Sequence, residues 1–396
     1  MERTFTSFGY QEIQTPTFET LELFTEKSGE SIIDEIYSFK DKGGRDLALR
    51  PELTAPVIRF YVNSLQMEPK PLKLFYFGNC YRYDRPQKGR YREFTQAGCE
   101  IIGTDTPEAV SELIALAYKI LKNTGLKNIN LNIGNLKILQ SIFKKLKITK
   151  DQQKYIIPLI DKSLYEELFN ALVDFKIDSK IANSLIKIVD TSDVKEIRDF
   201  IKNDESALGE LEKLEKITSY LKNIQKISNF KLKMSIVRGL DYYTGTVFEI
   251  EAPILGAEKQ ICGGGEYELI ETFGGRKTPQ AGFAIGFDRT ILALESEKFK
   301  FPELKIDAYV IPVSEDMKNK ALEITEHLRD EKIKTDVDLL NRGIGKSMKY
   351  ASSINAEKVI IIGPDEIDKN SVSVKDMKSG EQKLVKINDL AKVILG

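Results

Sequence analysis

From residue 139 to 225 the chain runs in Lys- and Glu-rich stretches with Ile and Leu at helical spacing, and it carries a single glycine there, Gly209. Apolar residues recurring every three to four positions make amphipathic helices. On both sides the texture changes to strand patterns, aromatics and glycines. One mixed domain is therefore expected to be interrupted by an all-helical insertion and to resume beyond it. Four segments follow: 1–138 as the first part of that domain, 139–225 as the insertion, 226–303 as its second part, and 304–396 as a separate domain. FPELK (301–305) has the composition of a linker. Beyond it, IDAYVIPVS, TDVDLL and KVIIIGPDEI predict strands alternating with helices at EDMKNKALEITEHLRDEK and GKSMKYASSI. A hairpin, SVSVKDM with EQKLVKI, and a last helix, NDLAKVIL, complete a small α/β domain with a mixed sheet. A length of 396 residues suits two or three domains.

Within 1–138, LALR (47–50) predicts a short strand, and PELTAPVIRFYVNSL a helix with Pro51 in its first turn. LKLFYFGNCYRYD (72–84) and YREFTQAGCEIIG (91–103) predict two long strands joined by the polar loop RPQKGR. DTPEAVSELIALAYKILKNTG (105–125) predicts a helix with its apolar face at 110, 113, 114, 117, 120 and 121.

Several function classes are excluded. The one histidine, His327, lies in a charged helical stretch and is expected at the surface, so a Ser–His–Asp hydrolase, an HExxH protease or a multi-histidine metal site is ruled out. Cys80, Cys99 and Cys262 are odd in number and have no CxxC spacing, which fits a reducing cytoplasm rather than a disulfide framework or zinc ribbon. The net charge of −1 gives no global positive field, though a local basic patch is compatible with it. No apolar run is long enough for a membrane span, and the N-terminus has no signal-type stretch. GKS at 345–347 imitates the end of a P-loop, but position 340 is Leu340 where the first glycine belongs. KMS at 233–235 lacks the His-rich partner motif of Rossmann-type synthetases.

The chemistry concentrates in RYDRPQKGRYREFTQAGCE (82–100), with Arg82, Arg85, Lys88, Arg90 and Arg92 close together. Strand alternation places Arg90, Arg92, Phe94, Gln96, Gly98 and Glu100 on one face, beside Arg82 and Asp84 of the adjoining strand. Such a face offers guanidinium forks for phosphates, a ring for stacking a base, and polar readers, with Gly98 leaving room for a ligand. A solvated edge hairpin would also carry charges, but not Gln and Glu on the Phe face of a strand of buried character. RGLDYYTGTVFEI (238–250) sets Arg238, Tyr242 and Tyr243 around two glycines, which suits a carboxylate or phosphate ligand as well as an ordinary hairpin. CGGGEYELIETFGG (262–275) allows close backbone approach to a ligand or positive φ. AGFAIGFDRTILAL (281–294) predicts a strand, then a helix with Arg289 in its first turn, where a cation opposes the helix dipole unless an anion is present. From the residues alone, an ATP-using ligase or transferase without a P-loop and a nucleotide-sensing binding module both remain open.

These motifs resemble, over essentially the whole chain, the histidyl-tRNA synthetase family of class II aminoacyl-tRNA synthetases. FGYQEIQTPTFETLELF is similar to the tail of the first class II motif, FGNCYRYDRPQKGRYREFTQAGCEIIG to the second, and AGFAIGFDRTILAL to the third. RGLDYYTGTVFE and CGGGEYEL resemble the two signatures particular to the histidine enzyme, and the RPELTAP and GFAIGFDR spellings look archaeal. The resemblance implies an α+β fold: an antiparallel-sheet class II catalytic domain with a helical insertion, plus a C-terminal α/β anticodon-binding domain. It implies a homodimeric, cytoplasmic, non-membrane ligase that joins histidine to tRNA(His) with ATP and Mg²⁺, the metal bridging phosphates and not held by a protein metal site. Glu52, Thr54 and Gln96 would hold the substrate amine. Glu100 and Tyr243, with Tyr242 alongside, would hold the imidazole. Arg82 and Arg238 would grip the α-phosphate and the carboxylate, Phe94 and Asp84 would take the adenosine, and Arg90 and Arg289 the β- and γ-phosphates. Arg82, Arg238 and Arg289 are thus the implied catalytic groups, and Gln87 and Arg92 the implied contacts to the tRNA acceptor end.

Departures from the family pattern are also expectations. Family members begin with a segment containing an Arg-Gly-Thr-Asp-like sequence, and this chain starts after it, so either the start is cut or misassigned, or part of the site's floor and dimer contact is missing. Thr95 stands within the second motif where histidine is common, and points off the ligand face. Glu266 stands where bacterial relatives often have Arg. The alternative within the same fold is a histidine-sensing regulatory paralogue of ATP phosphoribosyltransferase. Such paralogues lose the motif arginines and the C-terminal domain, both of which this chain has.

Overall fold

The computed structural model describes residues 1–28, 30–85, 89–237 and 243–396, with side chains for all of these but 27, 28 and 30–32. The chain forms two compact units, Met1–Phe299 and Lys300–Gly396.

Among the described residues, the first unit is built on eleven strands: β1 (Gln11–Glu12), β2 (Phe18–Thr20), β3 (Ser38–Lys40), β4 (Asp46–Leu49), β5 (Leu72–Tyr81), β6 (Glu93–Ile102), β7 (Asn130–Asn135), β8 (Phe230–Leu232), β9 (Tyr243–Glu251), β10 (Gln260–Tyr267) and β11 (Gln280–Gly286). Eight of them form one sheet in the order β1-β5-β6-β11-β10-β9-β7-β8, and β2-β4-β3 form a small separate one. The six inner strands of the large sheet pair antiparallel, and the outer pairs β1/β5 and β7/β8 are parallel.

The helices of this unit are α1 (Glu2–Ser7), α2 (Leu21–Ser28), α3 (Thr54–Phe60), α4 (Pro107–Asn123), α5 (Leu136–Lys145), α6 (Lys150–Asp161), α7 (Tyr165–Asp174), α8 (Ser179–Asp190), α9 (Val194–Ile201), α10 (Glu205–Asn223) and α11 (Phe287–Ser296). Helix α4 starts where Thr106 caps Ala109 N and Pro107 supplies a preset φ. Its apolar stripe Val110, Leu113, Ile114, Ala117, Ile120 and Leu121 is buried, packed on the back of β9, β10 and β11. Alternation in β6 sends Ala97, Cys99 and Ile101 into that core.

Parallel neighbours cannot be joined by a tight turn. The chain leaves the sheet at β7 and re-enters it at β8, its parallel partner (Leu131 opposite Phe230), and α5–α10 make the crossover between them. Capping marks the start of each except α7: Asn135, Thr149 with Gln152 in a capping box, Asp178, Asp193 and Asp204 each accept a backbone N–H of the first turn. The buried faces of these helices are continuous with the core behind the sheet.

The second unit holds β12 (Ile306–Pro312), β13 (Thr335–Val337), β14 (Ala356–Ile362), β15 (Ser371–Asp376) and β16 (Gln382–Lys386), in the order β13-β12-β14-β15-β16. Its first three strands are parallel and its last two join antiparallel, giving a mixed sheet. With α12 (Lys318–Asp330), α13 (Ile344–Ser353), α14 (Pro364–Ile367) and α15 (Leu390–Leu395) it encloses its own core around Val310, Ile324, Leu328 and Ile360. His327 is exposed on α12.

Three predicted boundaries are corrected. The helix expected from Pro51 begins at Thr54, because the Glu52 carboxylate accepts the N–H groups of Thr54 (2.6 Å) and Ala55 (3.0 Å) and so ends the extended segment. TDVDLL is strand only to Val337: the Asp338 carboxylate accepts from Leu340 N, Arg342 N and Ser347 Oγ, which turns the chain. KVIIIGPDEI stops as strand at Ile362, and Pro364 opens a short helix.

All three cysteines are free thiols buried in the first unit. Burial pushes Cys80 up to about 12 and holds Cys99 and Cys262 well above the usual thiol range. A thiol raised on folding stabilises the native state below its unfolded value near 9.0, and that stability fades as pH rises toward about 12. Denaturant midpoints are therefore expected to fall above pH 9. At pH 8 a thiol-specific disulfide reagent should label none of the three until the protein is unfolded.

Candidate active site

The face of the large sheet opposite α4 carries two adjoining cavities. The larger, of about 830 Å³, is lined by Glu52 and Thr54 at the start of α3, Arg82 just past β5, Gln96 of β6, Tyr243 and Glu249 of β9, Gln260, Gly263, Gly264 and Tyr267 of β10, and Gly282 of β11. The smaller, of about 240 Å³, is lined by Arg82, Asp84, Arg90, Phe94, Gln96, Asp288 and Arg289, among others. Arg82, Gln96, Gln260, Gly263 and Ala284 belong to both walls. An elongated two-part ligand would therefore bend past Arg82.

Most of the residues expected at a site converge here. Glu52, Thr54, Gln96 and Tyr243 line the larger cavity; Arg82, Asp84, Arg90, Phe94 and Arg289 line the smaller. Arg82 donates from Nε to Pro51 O at 3.0 Å, and its guanidinium lies 5.1 Å from the Phe94 ring centre, a cation–π contact. The Cys80 thiol, kept protonated by burial, points its sulfur at Gln96 Oε1 (3.4 Å) and orients that amide. Thr95 faces away, its N–H donating to Asp288 Oδ2 at 2.7 Å, which pins β6 to the first turn of α11.

Arg289 is met on three sides. Nε donates to Gly89 O (2.9 Å), Nη1 to Gln260 O (3.0 Å) and Nη2 to Glu258 Oε2 (2.7 Å). The anion expected beside this cation is, within the chain itself, the Glu258 carboxylate, which also takes Arg90 Nε at 3.2 Å.

Other expectations need correcting. Glu100 is fully buried just behind the larger cavity, not on its wall; its carboxylate accepts from Tyr76 Oη (3.0 Å) and from Tyr267 Oη, and Tyr267 faces the cavity. Gly98 leaves no room for a ligand: a Cβ there would sit 2.5 Å from Phe283 O and 2.6 Å from Tyr76 Oη, so the glycine admits the Tyr76 ring. Arg92 lines neither cavity; its guanidinium lies 4.7 Å from the Tyr83 ring and its Nε donates to Asp84 O at 3.3 Å. In the glycine run, positive φ is absent at 263–265, and a Cβ on Gly264 would lie 2.5 Å from Gly282 O, so strand packing demands that glycine. Gln87, Arg238 and Tyr242 lie outside the described residues.

Sequence reasoning missed Tyr267, Glu249, Gln260 and Glu258. Alternation pairs Tyr267 with Gly263 on the cavity face and turns Glu266 to the opposite face. There Glu266 forms an ion pair with Lys213 of α10, and its Oε2 accepts Thr246 N at 2.6 Å. Among the described residues no group of three or more His, Cys, Asp or Glu is disposed to hold a metal ion, and no helix is long and apolar enough to cross a membrane.

Comparison with known proteins gives the arrangement its place. Residues 1–290 match a family model described as histidyl-tRNA synthetase, and 307–396 match one described as an anticodon binding domain. A histidine–tRNA ligase of Archaeoglobus fulgidus is 42% identical, covering all of this chain and 93% of that protein. One from Pyrococcus furiosus is 41% identical over 98% of this chain and 91% of its own length. The crystal structure of histidyl-tRNA synthetase from Nostoc sp. PCC 7120 superposes with a TM-score of 0.84 at 25% identity, covering all of this chain and 93% of that one. With an antiparallel sheet bearing arginines around a two-part cavity and a C-terminal unit of matching type, the chain belongs to the histidyl-tRNA synthetase family.

Proposed function

We propose that this chain is a histidine–tRNA ligase, which activates histidine with ATP and transfers it to the 3′ end of tRNA(His). The observation that carries this reading is the shared wall at Arg82, where a carboxylate in the larger cavity and an α-phosphate in the smaller one would meet.

Histidine enters the larger cavity with its amine toward Glu52, Thr54 and Gln96. Its imidazole lies toward Tyr243, Tyr242 and the Tyr267–Glu100 pair, in which the buried carboxylate fixes the tyrosine hydroxyl. A site that hydrogen-bonds both ring nitrogens rejects analogues lacking them by large factors. ATP, the second substrate, brings its Mg²⁺ with it. The cation would neutralise charge on the phosphates, beside Arg90 and Arg289. Adenine stacks on Phe94 beside Asp84, and Arg90 and Arg289 hold the β- and γ-phosphates.

No protein base is required. The histidine carboxylate is already an anion and attacks the α-phosphorus in line, forming the acyl–phosphate bond as the bond to pyrophosphate breaks. What remains is positioning and stabilisation of charge on phosphate oxygens, the work of Arg82, Arg238 and Arg289. The 3′-terminal hydroxyl of tRNA then attacks the adenylate carbonyl and releases AMP, with Gln87 and Arg92 near the acceptor end.

In this reading 1–138 and 226–303 form the catalytic domain, 139–225 leans on the acceptor arm, and 304–396 reads the anticodon by stacking and hydrogen bonding. A homodimer is proposed as well: Phe18 and Phe39, both exposed, lie opposite Leu49 and Leu47 on one face of the small sheet, an apolar stripe suited to a second copy. Free buried thiols agree with a cytoplasmic setting. Against the regulatory paralogue stand Arg82, Arg90 and Arg289 around the smaller cavity and the presence of the C-terminal unit.

Pyrophosphate–ATP exchange with each of the twenty amino acids tests this. Exchange with histidine alone is expected. Histidine binding in calorimetry without any exchange would instead establish the sensor.

A further inference from the structure

Arg90 and Arg289, assigned above to the outer phosphates, already share an anion. Glu258 Oε2 accepts from Arg289 Nη2 at 2.7 Å and from Arg90 Nε at 3.2 Å. It ends the turn Pro253–Glu258, which Gly256 breaks with a φ of 64°. The Glu258 side chain is only 24% exposed and lines a cavity of about 170 Å³ that shares Gly89 and Arg289 with the smaller cavity described above. Through Gly89 O, Arg289 also binds the loop that carries Arg90.

Two guanidinium groups converging in a half-dehydrated site repel each other, and a carboxylate between them offsets that repulsion. A carboxylate beside an anion site also weakens the binding of every phosphate that enters it. That is a defect for a site built only to bind. It is useful in one that must release a polyanion, because only interactions stronger in the transition state speed the chemistry, while tight product binding slows turnover.

We propose that Glu258 is a built-in competitor for pyrophosphate. It holds Arg90 and Arg289 while the nucleotide cavity is empty, yields them to the more highly charged triphosphate, and reclaims them as pyrophosphate departs. Because the carboxylate is tethered beside the arginines, its effective concentration is high at every turnover. The assignment rests on the ligase function proposed above.

The test compares the full-length enzyme with Glu258→Gln, which keeps the shape and removes the charge. Pyrophosphate is expected to bind about tenfold tighter to the variant in calorimetry, the scale of losing one charge-assisted competitor. KM for ATP and kcat for charging should fall together as release slows. Glu258→Asp should return pyrophosphate affinity toward the wild-type value. Unchanged or weaker pyrophosphate binding in Glu258→Gln would overturn the proposal, and a raised KM with lost adenylate formation would make Glu258 a mere prop for Arg289. If the wild type shows no histidine-dependent exchange, the ligase reading falls, while the calorimetric comparison still decides whether Glu258 competes with pyrophosphate.

Discussion

Arg289→Ala is expected to lower histidine-dependent pyrophosphate exchange by about a thousandfold, the upper range for removing one preorganised donor from a transition state. The side chain meets the hairpin loop at Gly89, the edge of β10 at Gln260, and Glu258. Its loss therefore removes a phosphate ligand and also frees the loop bearing Arg90. Arg289→Lys should recover little, since one ammonium cannot serve three directions at once as a planar fork does. Thermal unfolding should separate chemistry from stability: a midpoint close to wild type with lost exchange is the expected pair. Exchange within tenfold of wild type would remove Arg289 from the reaction.

The second large effect is on stability. Glu266→Ala leaves the Lys213 ammonium, 17% exposed, and the Thr246 N–H without their main partner. Breaking a buried ion pair by removing one member costs about 3–5 kcal/mol. The lower end is expected here, because Asp105 lies 3.7 Å from Lys213 and takes up part of the charge. Urea unfolding measures it, and a loss under 1 kcal/mol would show that the pair contributes little. The consequence for function is local. Lys213 belongs to α10 and Glu266 to β10, the strand that carries Gly263, Gly264 and Tyr267 of the larger cavity. Histidine affinity in Glu266→Ala is therefore expected to drop even where the protein remains folded.

How legible such features are depends on whether a side chain sits in a regular period. In β6 the alternation is unbroken, so Phe94 and Gln96 could be placed on the cavity face, and Thr95 off it, from the sequence alone. The same rule failed for Tyr267, because three glycines precede it and supply no side chains to show which parity faces in. Gly98 was assigned to a ligand because alternation names the face and not its occupant; the occupant is Tyr76, from the strand next door. Glu100 shares that face but lies deeper, since Tyr76 and Tyr267 close over it. Glu258 stands in an irregular turn with no period at all, and its meeting with Arg90 spans 168 positions of chain. The kind of element was the readable part: helices α5–α10 and the buried stripe of α4 both follow from helical spacing. Capping and turn chemistry at Glu52, Asp338 and Pro364 shifted the ends of elements without changing their kind.

The strand order has a consequence for synthesis. Strand β6 pairs with β5 almost as soon as both exist, but its other neighbour, β11, is encoded about 180 residues later. At roughly 5–20 residues per second on a ribosome, β6 waits on the order of 10–35 s with one edge unsatisfied. During that interval the nascent chain exposes an unpaired row of backbone donors and acceptors, the feature that makes open sheets stick to one another. The centre of the catalytic sheet is thus the last part of it to close, and a chain stalled before Gln280 is an aggregation hazard and not a smaller enzyme.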